Sequence, residues 1–168
     1  MFLTLAAVLL STAQPEPLEP DLACIVDRVP ASARAVILTE TASAVEGLAQ
    51  AALIEASTSC QRERNWTVEH TVNAGMIATA FILGEEAGSH LDKAGIPVGL
   101  VDAWFDAQPR DVQTMGQMDQ TVGEQVVRHL VGEGVTLPSV EANAMQIGLY
   151  VGARMMFARI AAGLGPLE

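Results

Sequence analysis

Residues 74–84 read Ala-Gly-Met-Ile-Ala-Thr-Ala-Phe-Ile-Leu-Gly, apolar or small on every side of a helix. An amphipathic helix hides one stripe, but a helix without a polar side must be enclosed all round. This run is too short for a bilayer, which needs about 20 apolar residues. Glu85 and Glu86 follow it directly. The expectation is a rod at the centre of a bundle, jacketed by other helices in water. Gly84 and Gly88 lie one turn apart, so a neighbouring backbone can approach closely there.

The remaining chain supplies the jacket. No four consecutive residues alternate convincingly as a strand would. Residues 21–28 suit a short helix ended by Pro30, and Ser32 can cap a brief turn through Leu38. A longer helix is expected over 41–64, with Val45, Ala49, Ala52, Ala56 and Cys60 on one face. Thr67 can cap the helix holding the rod, with Gly95 as its stop near Lys93. Pro97 opens a short helix anchored by Leu100, Val101, Trp104 and Phe105, ending before Pro109. Residues 111–132 carry the stripe Val112, Met115, Asp119, Val122, Val126 and Leu130, and the turn at 132–134 ends it. From Thr136, with Pro138 in the first turn, a last helix runs to Ala162. It has two stripes: Val140, Ala144, Ile147, Val151, Met155 and Ala158, and beside them Met145, Leu149, Gly152, Met156 and Ile160. No internal repeat is evident. The predicted architecture is all-α, an irregular bundle of four principal helices plus short ones, in a single domain over residues 21–165.

The apolar start of the chain points to export. Residues 1–10 are almost wholly apolar, Ser11-Thr12-Ala13 follow, and Gln14-Pro15-Glu16-Pro17 are polar. Signal peptidase takes small residues one and three positions before its cut, which Ala13 and Ser11 supply. Residues 1–13 therefore read as a signal peptide cut before Gln14, although no Lys or Arg precedes the apolar run. Residues 14–20, with Pro15, Pro17 and Pro20, read as an extended leader. A single Lys among nine basic residues hints at a bacterial source, so the expected location is periplasmic or secreted.

Export gives the two cysteines a meaning. Cys24 and Cys60 are the only thiols, and an oxidising compartment favours a disulfide between them. Closing that loop stabilises a chain by roughly 3–4 kcal/mol. The net charge of −11 disfavours nucleic acid and anionic lipid as partners. After cleavage nothing marks an integral membrane protein.

No haem, zinc, nucleophile-elbow or phosphate-loop motif occurs, and no cofactor is expected. Asn65-Trp66-Thr67 matches the glycosylation triplet but reads better as a helix start. Four polar residues form a weak catalytic or metal-binding candidate: Glu86, His90, Asp119 and His129. Glu86 and His90 share a helix face, and carboxylates with imidazoles can bind a metal or move protons. Ten residues of helix rise about 15 Å, so Asp119 and His129 cannot both lie level with Glu86. The competing role is a surface Glu86–His90 pair. A binding candidate is the strip Asn143, Gln146, Tyr150 and Arg154, where Tyr150 and Arg154 can grip an anionic or aromatic group. The methionines, among them Met76, Met115, Met118 and Met155, suit core filling better than copper. If Trp104 and Phe105 were exposed they would mark a partner site. The expected function is a non-enzymatic binding or interaction role outside the cytoplasm, for an unknown protein or small molecule. The alternative is a metal-binding protein or enzyme using the carboxylate–histidine group.

Overall fold

A computed structural model describes residues 19–43, 47–115 and 118–163. The expected signal peptide at 1–13, most of the expected leader, Val45 and the last residues of the expected domain lie outside them. Among the described residues the fold is all-α, with no strand. No described helix is long and apolar enough to cross a membrane.

α1 (Pro20–Val26) opens on a proline, whose fixed φ and missing N–H suit a first turn. Its far end is closed by Arg34, which donates to the carbonyls of Val26 and Val29. Arg34 belongs to α2 (Ala31–Ser43), thirteen residues long where a brief turn was expected. The next helix, α3, covers Leu48–Arg64 and so begins later than the expected residue 41. Ala49, Ala56 and Cys60 are buried, as their spacing implied. The Cys24–Cys60 disulfide ties α1 to α3. Asn65 takes a left-handed conformation, φ 54°, and turns the chain out of α3.

α4 (Val68–Lys93) is the spine, about 39 Å long at 1.5 Å per residue. The Thr67 side chain accepts from the His70 N–H, 3.1 Å away, and caps its start. None of residues 74–84 is exposed, and α1, α2, α3, α5 and α9 all pack on this helix. Ala74, Ala78, Ala80, Ile82 and Gly84 are buried, while Gly75, Met76, Ile77, Thr79, Phe81 and Leu83 are half-buried, so the expected rod is packed on but not closed in on every side.

α5 (Val98–Asp106), α6 (Arg110–Gln113), α7 (Gln120–Gly132), α8 (Leu137–Ala142) and α9 (Ala144–Ala161) complete the fold. Two expected helices are each divided. The 111–132 helix is interrupted before Asp119, whose carboxylate accepts from the Val122 N–H at 2.8 Å and starts α7 afresh. A side chain that caps offers the backbone an alternative to continuing a helix. Asp119 therefore ends a stripe and does not sit within one. The last helix is interrupted at Asn143, which separates α8 from α9. The first stripe of α9 is buried at Ile147, Val151 and Met155, whereas the second is only half-buried and Met145 is exposed.

α4 and α9 run antiparallel, with Phe81 against Phe157, Gly84 against Ala153, and Gly88 against Tyr150. A Cβ on Gly84 would lie 2.9 Å from Ala153 Cβ, so only glycine allows this approach.

The fold also brings out a repeat that the sequence reading missed. Gly84-Glu85 and His90-Leu91, closed by Gly95, recur thirty-nine residues later as Gly123-Glu124 and His129-Leu130, closed by Gly134. Both helix ends close the same way. Gly95, φ 78°, and Gly134, φ 94°, are left-handed. Ile96 N–H then bonds Leu91 O, and Val135 N–H bonds Leu130 O. The end of α4 with α5 thus matches α7 with α8.

The interior has two clusters. Cys24, Ile25, Val29, Ile37, Cys60, Ala78 and Ile82 belong to the first, around α1–α3 and the first part of α4. Leu91, Trp104, Phe105, Leu130, Val151 and Met155 belong to the second, around the end of α4 and α5–α9.

Candidate functional site

The residues that could carry chemistry are held by different partners. His90 Nε2 lies 3.1 Å from Asn143 Oδ1. Asn143 Nδ2 in turn donates to Ser139 O at 2.8 Å, so this buried amide is satisfied on both sides. His129 Nε2 lies 3.2 Å from Leu100 O; a carbonyl only accepts, so that ring nitrogen carries the proton. The two histidines occupy equivalent repeat positions, and each reaches the other repeat's short-helix region. Asp119 is used as a cap. Glu86 is half-buried on α4. Among the described residues no group of three or more His, Cys, Asp or Glu could hold a metal ion. The four candidates are therefore not brought together.

The expected strip on the last helix is divided by the Asn143 break. Tyr150 and Arg154 remain together but turn toward α5. The Tyr150 hydroxyl donates to Asp102 Oδ1 at 2.9 Å. Arg154 reaches Asp102 with Nε at 3.4 Å and Asp106 with Nη2 at 3.0 Å. Its guanidinium also lies over the Phe105 ring, 5.2 Å from the centroid. Burial, and then the hydrogen bond to Asp102, hold the Tyr150 hydroxyl well above its ordinary pKa of 10.0. The group fastens α9 to α5, and a ligand anion at Arg154 must displace two carboxylates. Gln146, half-buried, lies on the same helix. Trp104 and Phe105 are buried core members.

One polar cluster escaped the sequence reading. Asp21 bridges Arg64 and His70 at the start of α1. Its Oδ1 accepts from Arg64 Nη1 at 2.9 Å, and its Oδ2 lies 2.9 Å from His70 Nε2. Trp66 stacks edge-on to His70, centroids 4.9 Å apart, and Arg64 lies near the same indole. No short spacing joins residue 21 to residues 64–70, so only the fold reveals the contact. Beside the disulfide, Arg28 pairs with Glu63 and lies 3.5 Å from Cys60 Sγ. The hydrogen bond and charge of Arg28 hold the Glu63 carboxyl below its usual range.

Among the described residues a groove lies open along α7. Met118, Gly123, Val127, Val131 and Leu137 line it, with Glu124 and Arg128 at its edge. Val131 and Leu137 in it are 41% and 47% exposed; Leu48, Ile54, Val68 and Val72 on α3 and α4 are exposed as well. Met118 Cε closes the end, 3.4 Å from where a Cβ on Gly148 would sit.

The chain matches no family model, curated protein or solved structure.

Proposed function

We propose that this chain works outside the cytoplasm as a helical binding or interaction protein. The observation that carries the reading is the α7 groove, where Val131 and Leu137 face outward beside the half-buried Met118 and Val127. Elsewhere the polar and aromatic groups of the candidate sites fasten helices to one another. His90, His129, Tyr150 and Arg154 all meet other parts of the chain. Export is supported by the apolar residues 1–10 followed by Ser11 and Ala13, and by the disulfide deep in the first core. The acidic charge makes nucleic acid a poor partner.

Expression of the full chain in a bacterial host with intact secretion tests location. The expected product is extracytoplasmic, begins at Gln14 and gains no alkyl groups without reduction. An uncut cytoplasmic chain with two alkylatable thiols would overturn export. Elemental analysis of protein purified without chelator tests the binding role against the metal-centre alternative. Stoichiometric metal that disappears in His90→Ala would favour the alternative.

A further inference from the structure

Among the described residues the groove is uncovered, and it has a covered counterpart within the same molecule. Gly84 and Gly88 of the first repeat lie under α9, an antiparallel helix. Beside them Glu85 meets the guanidinium of Arg34, 3.7 Å away. The equivalent positions in the second repeat are Gly123, whose Cβ position meets only Met118 Cε within 4 Å, at 3.9 Å, and Val127, half-buried against the second core, with Glu124 beside them. Glu124 accepts only from Gln120 on its own helix, at 2.8 Å, and among the described residues meets no cation. In the first repeat α9 brings the small and apolar residues and α2 the positive charge; the cover that α7 lacks among the described residues is a helix that brings both.

α7 itself meets that description. Its Gly123, Val127 and Val131 are four apart and form one stripe, with Glu124 and Arg128 alongside. We propose that a second copy of this chain docks here, with the two α7 helices antiparallel about a two-fold axis near Val127. Val127 then meets its own equivalent. Gly123 of each copy receives Val131 of the other, the small residue opposite the large. The Met118 end of one groove lies over the Leu137 end of the other. Glu124 and Arg128 straddle the axis, so each Glu124 comes within reach of Arg128 of the second copy. An isologous interface requires this kind of self-complementarity in shape and charge. The proposal rests on the interaction reading and is independent of export.

Sedimentation velocity on the purified protein tests it over a concentration series, at about 0.15 M salt to screen the shared negative charge. The expected result is a reversible dimer. Val127→Cys, which meets itself at the axis, should cross-link under mild oxidation far faster than Thr58→Cys on the exposed side of α3. Arg128→Glu should weaken association by roughly tenfold to a hundredfold, because it sets like charges together twice. Adding Glu124→Arg should restore association by reversing both partners. A monomer at every concentration overturns the proposal, as does equal cross-linking at 127 and 58. Charge reversal without effect, or without rescue, also overturns it. Should Val127→Cys fail to fold, the exposed Arg128 and Glu124 variants decide the matter alone. A monomer that instead takes up an added amphipathic helical peptide would assign the groove to a foreign partner.

Discussion

The two cores strung along α4 are built from different materials. The first includes Ala33, Ala49, Ala56, Ala74 and Ala78 among its buried members, and it holds the disulfide. The second has Leu91, Trp104, Phe105, Leu130, Ile147 and Met155, and no disulfide. Burying a methyl contributes about 0.8 kcal/mol, whereas a large aliphatic or aromatic side chain contributes about 1.5–3 kcal/mol. Small side chains let helices come close but remove little apolar area from water. The covalent bond lies in the core whose packing is weaker, and the aromatic residues lie in the core that lacks the bond. A helical protein can thus stabilise a core rich in small side chains by restricting its unfolded chain, and a core of large side chains mainly by buried area.

The severest way to break this contrast is Trp104→Ala. Emptying that site should cost about 3–5 kcal/mol in urea unfolding. Amide exchange should accelerate first in α5 and α7, while α1 and α3 keep their protection. Equal loss in both halves would mean that the cores are not separable.

Removing the disulfide by a Cys24→Ala, Cys60→Ala double substitution is the mirror experiment. It should cost about 3–4 kcal/mol. Protection should fall first in α1 and α2, with α7 and α9 little changed.

Between the cores, Gly84→Ala probes the close approach of α4 and α9. Alanine favours a helix over glycine by about 1 kcal/mol. Against that, the new Cβ would stand 2.9 Å from Ala153 Cβ. We expect net destabilisation of about 1–3 kcal/mol from overpacking, partly recovered by Ala153→Gly. Gly99→Ala on α5, with nothing within 4 Å of its Cβ, should instead stabilise slightly. Measured melting temperatures that move in the same direction for both would sink the close-packing account.

The smallest effect sharpens the second core's polar tie. Tyr150 is the sole tyrosine, so phenolate absorbance reports it directly. Its hydroxyl pKa is raised in the folded state from 10.0. The unfolded chain therefore loses that proton first, and stability falls as pH rises above about 10. Phenolate absorbance should appear only with alkaline unfolding. Tyr150→Phe should flatten this pH dependence and cost about 1 kcal/mol at neutral pH. A phenolate titrating near 10 in the folded protein would show the hydroxyl to be open to water.

Much of this was legible in the amino-acid order. The run at 74–84 announced an enclosed helix because no polar side was available to face water. Gly84 and Gly88 announced a close neighbour, and Gly95 and Gly134 marked helix ends. The break at Asn143 was harder to read, since its neighbours keep a helical period on both sides. Asp119 was misplaced for a related reason: it falls on the apolar spacing of its neighbours, and its capping role shows only in the bond to Val122 N–H. The repeat at 84–95 and 123–134 was present in the letters but diluted by substitutions, and the matching glycine closures made it plain.

What the sequence determined alone was local: helical class, the absence of an exposed side on the central rod, and the cysteines available for pairing. Those follow from side-chain periodicity and chain stiffness within a few turns. The tertiary structure decided which surfaces meet. His90 answers Asn143, 53 residues away, and Asp21 answers His70, 49 away. A helical period tells which face a residue occupies but not which helix will lie against it, because that depends on how all the helices pack at once.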